Sequence, residues 1–320
     1  MTGQDAIPTS DLCKIYLDPK SGPTESSRNP LISSLPENPR QWLDDYLHTR
    51  ARLASQDSDF QCDPACARPG CKNQDLQIPV SLVDLLGAAH RRHELVSELY
   101  LRHYVLGVFS NDRADWIRLA SLKLKKPCPF LDQDLCGIYP VRPLPCILFP
   151  EYLVSRGTFA VHAAKAQFRD YHCFRRPLHL SPARTRVVAK LRDMWERELL
   201  ISSFYLFNHG SCHIDCSNLA KEFDAELEAG REQQYPANQV IDTFFQEHLA
   251  GSPPFNKVAE KIRLLDTQEG QAHFLQLLRD DLLVNKLREA GDDRALVFQF
   301  KKGKLKAKRR GIVPAEYKFY

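Results

Sequence analysis

Residues 128–146 read CPFLDQDLCGIYPVRPLPC, and how this stretch is held decides what kind of fold surrounds it. It sets Cys128, Cys136 and Cys146 among closely spaced prolines, with neither helical nor clean strand periodicity, so ordinary core packing does not account for it. Upstream, residues 62–71 read CDPACARPGC, with Pro64, Pro69 and Gly70 bending the chain between Cys62, Cys66 and Cys71. Thiolates bind zinc and iron, and turns between closely spaced cysteines can aim several sulfurs at one centre. A helix would instead hold them at fixed steps of about 1.5 Å along its axis. A turn-rich loop also presents backbone N–H groups to the sulfurs. Buried free cysteines behave as small hydrophobes, a reading that suits a lone Cys but fits poorly for six in two proline-rich groups.

The whole chain has ten cysteines in 320 residues. Its 43% hydrophobic and 26% charged composition is that of an ordinary soluble protein. The first thirty residues lack the apolar core of a secretory signal, and no run approaches the roughly 20 apolar residues of a membrane span. A cytoplasmic protein is therefore expected, in which thiols stay reduced unless a metal or redox reaction claims them. A net charge of +4 implies no particular partner. No Walker loop, nucleophile elbow, HExxH or paired-carboxylate motif is present, so the common hydrolase and nucleotide-binding routes have no support.

Four regions are expected. Residues 1–38, rich in Pro, Ser and Thr, read as a flexible arm. Residues 39–180 read as the cysteine-cluster domain, 181–300 as a helical region and 301–320 as a basic tail. The expected fold class is mainly α, with an irregular, loop-rich cysteine region and minor β. Helical spacing of Trp42, Leu43, Tyr46 and Leu47 starts the folded part at Pro39. Ser81 and Asp84 mark the start of a helix running to about residue 104, divided at Gly87 or within His90–His93. Ser181 and Pro182 start another, to about Phe207. Further helices are expected near 217–232, 238–250 and 268–289, a strand pair at 151–161 turning at Arg156 and Gly157, and a closing strand in ALVFQF.

Three motifs in order, Cys128-Pro129-Phe130-Leu131, Cys136-Gly137-Ile138-Tyr139 and Arg142-Pro143-Leu144-Pro145-Cys146, follow the shorter cysteine run and the intervening helix. In this the chain resembles the bacterial zinc- or iron-chelating cysteine-cluster proteins of YkgJ type, over roughly residues 58 to 175. The resemblance implies a zinc ion or an iron–sulfur cluster as cofactor and points to Cys173 as a further ligand. Two departures, Lys72 where many relatives have a second cysteine and Ile147 where many have arginine, leave the metal count open. The seven thiols can make a four-cysteine site plus an open three-cysteine site, or one site with spare cysteines beside it. A subset of the family is similar to flagellin lysine N-methylases, which implies an alternative: an iron–sulfur-dependent protein-lysine methyltransferase or redox enzyme. No Gly-rich methyl-donor loop follows a strand here, and no catalytic residue is assigned. A third reading is a non-catalytic interaction protein with a structural metal and a protein partner.

Arg142 and Tyr139 are candidates to support the sulfurs, the guanidinium offsetting thiolate repulsion and the hydroxyl donating to sulfur. The alternatives are a packed Tyr139 and a surface ion pair for Arg142. His209, Cys212, His213 and Cys216 suggest a mixed site, against the simpler reading of a helix end and polar loop. Lys301 to Arg310 hold seven basic residues; a solvated tail is expected, with nucleic acid or an anionic surface as the weaker alternative.

Overall fold

The computed structural model of the chain describes residues 38–58, 60, 66–110, 116–210, 212–215, 220–235, 237–249, 253–290, 296–301 and 304–308. Apart from Asn38, the expected arm lies outside these residues. The Asn38 side chain accepts a hydrogen bond from the Gln41 N–H at 3.2 Å and, with Pro39 in the first turn, starts α1 (Pro39–Ser55). The chain continues through the one-turn helix α2 (Pro69–Lys72) and β1 (Pro79–Val80) into α3 (Leu82–Arg92). Ser81 and Asp84 form a reciprocal capping box at its start. The helix is divided at His93, in the left-handed region at φ 55°, before α4 (Val96–His103). Gly87 is a packing point: a Cβ there would meet Leu47 Cδ1 at 3.0 Å, so glycine lets α1 lie close to α3.

A long hairpin follows, β2 (Tyr104–Ser110) against β3 (Trp116–Leu124), which the sequence reading does not anticipate. β1 pairs with the end of β3, and β6 (Cys212–Asp215) pairs with its start. β7 (Leu296–Lys301) runs parallel to β6, and β8 (Lys304–Lys308) closes the described sheet of six strands. ALVFQF is thus a strand. The basic run is, over Lys304–Lys308, an edge strand instead of a solvated tail; lysines on an edge discourage further strand addition. The fold is mainly helical, as expected.

Between β3 and the long helix the chain is short-range and turn-rich. β4 (Leu131–Asp132) and β5 (Leu135–Cys136) are joined by Gln133 and Asp134, both at positive φ, the pairing a tight hairpin turn requires. A 3₁₀ turn at Tyr139–Val141 and α5 (Leu144–Leu148) complete the stretch expected as loop. The expected strand pair at 151–161 is instead two helices, α6 (Glu151–Ser155) and α7 (Phe159–Ala163), with the turn at Arg156 and Gly157 where it was placed. Tertiary packing overrides the β-branched character of the run: Glu151 is buried against Arg184, and Tyr152 packs edge-on against Trp195.

Ser181 caps α8 (Pro182–Phe207), about 39 Å long at 26 residues. From Leu200 to Phe207 every residue is buried, so the helix is enclosed on all sides there. α9 (Ala220–Glu232), α10 (Ala237–Leu249), α11 (Pro253–Leu264), α12 (Gln268–Arg279) and α13 (Asp281–Ala290) follow. α11 is additional to the expected set. The single helix expected at 268–289 is two, because Asp280 leaves helical geometry and its carboxylate caps the Leu283 N–H at 2.9 Å. One apolar cluster runs from Leu43 and Leu86 through Phe204 to Phe274 and Leu287, joining the helices of both halves.

A buried charge network sits where α1, α3 and α8 meet. Arg50 reaches Asp84 at 2.7 Å and Glu198 at 3.4 Å, all three nearly or completely inaccessible. Glu198 also accepts from Ser81 Oγ at 2.8 Å and Tyr46 OH at 3.0 Å. Arg50 donates to the Arg142 carbonyl at 3.2 Å, which ties the network to the cysteine segment. No described helix is long and apolar enough to cross a membrane.

Candidate metal centre

α2 places Cys71. Arg68, in the left-handed region, turns the chain into it, and Pro69 starts its single turn. The backbone N–H of Cys128 donates to the Cys71 carbonyl at 2.7 Å, so the two cysteine segments are joined directly. From Cys128 the chain wraps: the Leu131 N–H returns to the Cys128 carbonyl at 3.2 Å and the Gly137 N–H to the Phe130 carbonyl at 2.8 Å. This wrap presents the Phe130 N–H to the Cys128 sulfur and the Ile138 N–H to the Cys136 sulfur. Such N–H donors are what a metal thiolate needs, since they spread its negative charge. α5 carries Cys146 into the same space, and the adjacent 3₁₀ turn His172–Phe174 carries Cys173.

Cys66, Cys71, Cys128, Cys136, Cys146 and Cys173 all line one cleft, and all six are partly buried and outside any disulfide. Cys62 lies outside the described residues. Cys71 and Cys128 hydrogen-bond through their side chains: the bond from Cys128 holds the Cys71 thiol down, to about 6, with Lys126, Arg68 and Lys72 assisting against burial. The same bond, and burial, push Cys128 up. Burial pushes Cys146 up to about 12 and raises Cys136, the latter opposed by the Ile138 N–H and by Arg142 and Arg68. Among the described residues no three Cys, His, Asp or Glu side chains stand ready-made around a metal position. The donor chemistry nevertheless fits a thiophilic ion: four sulfurs from two joined segments, N–H donors on two of them, and cations around a set that would be strongly anionic if ionised.

Lys126 and Tyr171 are site residues that sequence reading misses. The Lys126 ammonium donates to the Gly70 carbonyl at 2.5 Å; burial pulls its pKa down while Cys146, Cys128 and Cys71 oppose that shift. Burial pushes Tyr171 up to about 12; the Asn73 side chain 3.4 Å away opposes this, while Cys173, Cys71 and Cys66 add to it. One lysine before a Pro-Cys pair and one tyrosine near a cysteine carry no signal until the cleft is formed. Arg142 stacks over the Tyr139 ring at 4.3 Å, and Tyr139 is 59% exposed, so neither the buried core nor a surface ion pair describes this couple. Asp84 lies in the Arg50 network, and His90 bonds Asp44 at 2.9 Å. Of the suggested mixed site, Cys212 and His213 are fully buried within β6, α8 ends at Asn208 in the left-handed region, and Cys216 lies outside the described residues.

Residues 61–173 match the family model described as "CxxCxxCC: Putative zinc- or iron-chelating domain". The match covers a little over a third of the chain and agrees closely with the span read from the motifs. Nothing among curated proteins or solved structures matches the chain.

Proposed function

We propose that this protein chelates zinc or an iron–sulfur centre, with Cys71, Cys128, Cys136 and Cys146 as the inner ligands, Cys66 and Cys173 available at the rim, and Cys62 as a further candidate ligand. The observation that carries this reading is the direct joining of the two cysteine segments, Cys128 N–H to Cys71 carbonyl, with two further thiols facing the same space. Arg68, Lys126 and Arg142 would offset the charge of the loaded thiolates; Tyr139 would orient Arg142 by stacking. Residues 39–180 would be the chelating unit, and 181–300 the helical frame behind it. When bound, zinc would staple the fold, whereas a cluster iron with an open position could take a substrate.

Metal and acid-labile sulfide analysis on anaerobically purified protein tests the proposal. Stoichiometric zinc or iron is expected, with loss of metal in Cys128→Ser and Cys136→Ser. Unchanged metal content in both variants would remove the ligand assignment. A second equivalent of metal, lost in Cys173→Ser alone, would assign the rim cysteines to a site of their own.

A further inference from the structure

The cleft continues past the sulfurs along α6, the segment after Cys173 and α8. Its described lining carries many more cations than carboxylates, and both carboxylates have partners: Glu151 is paired with Arg184, and Glu196 accepts from Arg288 at 3.2 Å. Lys126 and Arg142 act on the thiols. Arg156, Arg175, Arg176 and Arg192 do not: all four are exposed, and none forms an ion pair with a carboxylate among the described residues. Arg156 stands 6.0 Å over Tyr152, whose ring meets Trp195 at 5.6 Å, so one wall is aromatic and cationic together. Like charges gathered on the walls of a cleft repel one another and focus a positive potential into it. An anionic occupant relieves that repulsion.

Its chemistry follows from the rest of the lining. The four arginines come from three separate segments, which suits an extended chain bearing several charges better than a single small anion. Leu135, 68% exposed, and Tyr139 line the same cleft, with the half-buried Leu178 and Leu199. Exposed aliphatic side chains suit the apolar side chains of a polypeptide, which a phosphodiester backbone lacks. We infer that this cleft docks an acidic polypeptide segment of a partner, its carboxylates on Arg156, Arg175, Arg176 and Arg192 and its apolar side chains on Leu135 and Tyr139. The inference uses the cleft and not the metal, so it goes beyond the chelation reading.

The test uses the full chain, purified anaerobically and assayed for metal, and a fluorescein-labelled peptide of alternating Glu and Leu, with a Gln-for-Glu counterpart. The Glu peptide should bind, more weakly as salt rises, and the counterpart should not. Reversal of charge in Arg175→Glu/Arg176→Glu/Arg192→Glu should weaken binding on the order of 100-fold, with melting temperature and metal content unchanged. Lys304→Glu/Lys306→Glu, away on β8, should leave affinity within about twofold. If the triple variant does not fold, Arg175→Gln/Arg176→Gln should still weaken binding on the order of tenfold. Equal binding of the two peptides, wild-type affinity in a folded cleft variant, an equal loss in the β8 variant, or tighter binding of single-stranded RNA of matched charge would overturn the inference. A chain that binds the peptide but no metal would overturn chelation and leave this site standing; metal without peptide binding would do the reverse.

Discussion

The cysteine segments, Cys66–Cys71 and Cys128–Cys146, and the helical half from Pro182 to Ala290 are held by different physics. In the helical half, a 26-residue helix is enclosed by apolar side chains, and Phe204, Phe274, Leu275 and Leu283 are completely buried. Around the cysteines themselves, at Cys66–Cys71 and Cys128–Cys146, short elements are joined by single backbone hydrogen bonds and by side chains that face a cleft. Apolar burial holds the first, in a cluster that also takes in α1 and α3. The second gathers thiols and cations whose arrangement gains most of its value when a ligand is present. The Arg50–Asp84–Glu198 network lies on the seam, touching the Arg142 carbonyl on one side and α8 on the other.

Substitutions can break this contrast. Arg50→Met should have the largest effect on stability, about 3–5 kcal/mol, because it strands two buried carboxylates, and denaturant unfolding would measure it. Phe204→Ala should cost a similar or slightly smaller amount, about 3–5 kcal/mol from lost burial and cavity formation, while the folded fraction keeps its full metal content. A loss of metal from that folded fraction would show that the halves are not separable.

The seam also predicts a pH dependence. Burial, with Asp84 adding to it, pushes Glu198 up to about 7 against the opposing charge of Arg50. The native state therefore keeps a proton that the unfolded chain releases near 4.5. The contribution from this site is full below about pH 4.5 and is lost as pH rises toward 7, an effect of about 3 kcal/mol. Glu198→Gln should flatten that slope in urea titrations at several pH values; a slope that persists unchanged would assign it elsewhere. The smallest effect is expected from Ser81→Ala, about 1–2 kcal/mol by thermal melting, since it removes a cap and one bond to Glu198.

What the sequence reveals follows the same division. The starts of α3 and α8 are legible because capping is local, Ser81 and Ser181 each carrying their signal within three residues, and that of α1 because Trp42, Leu43, Tyr46 and Leu47 share a helical face. The cysteine grouping is legible because six thiols and their prolines are themselves the signal. The β2–β3 hairpin is not, because a register shift between Leu106 and Gly107 interrupts the alternation that marks a strand. β6 reads as a polar loop, since CHID acquires strand character only by insertion between β3 and β7. α6 is misread because its helical state rests on Arg184 and Trp195, distant in the chain. Lys126 and Tyr171 are invisible for the same reason: their role is a position in the cleft, not a residue type.

The contrast between the halves is tested most directly by hydrogen exchange before and after chelator treatment of anaerobically purified protein. Exchange protection should fall across Cys71, Cys128–Cys136 and Cys146 when metal is removed, and the second half of α8, Leu200–Phe207, should keep its protection. Unchanged protection around the cysteines, or an equal collapse of both regions, would contradict the account of a ligand-held cysteine half on a helical frame held by apolar burial.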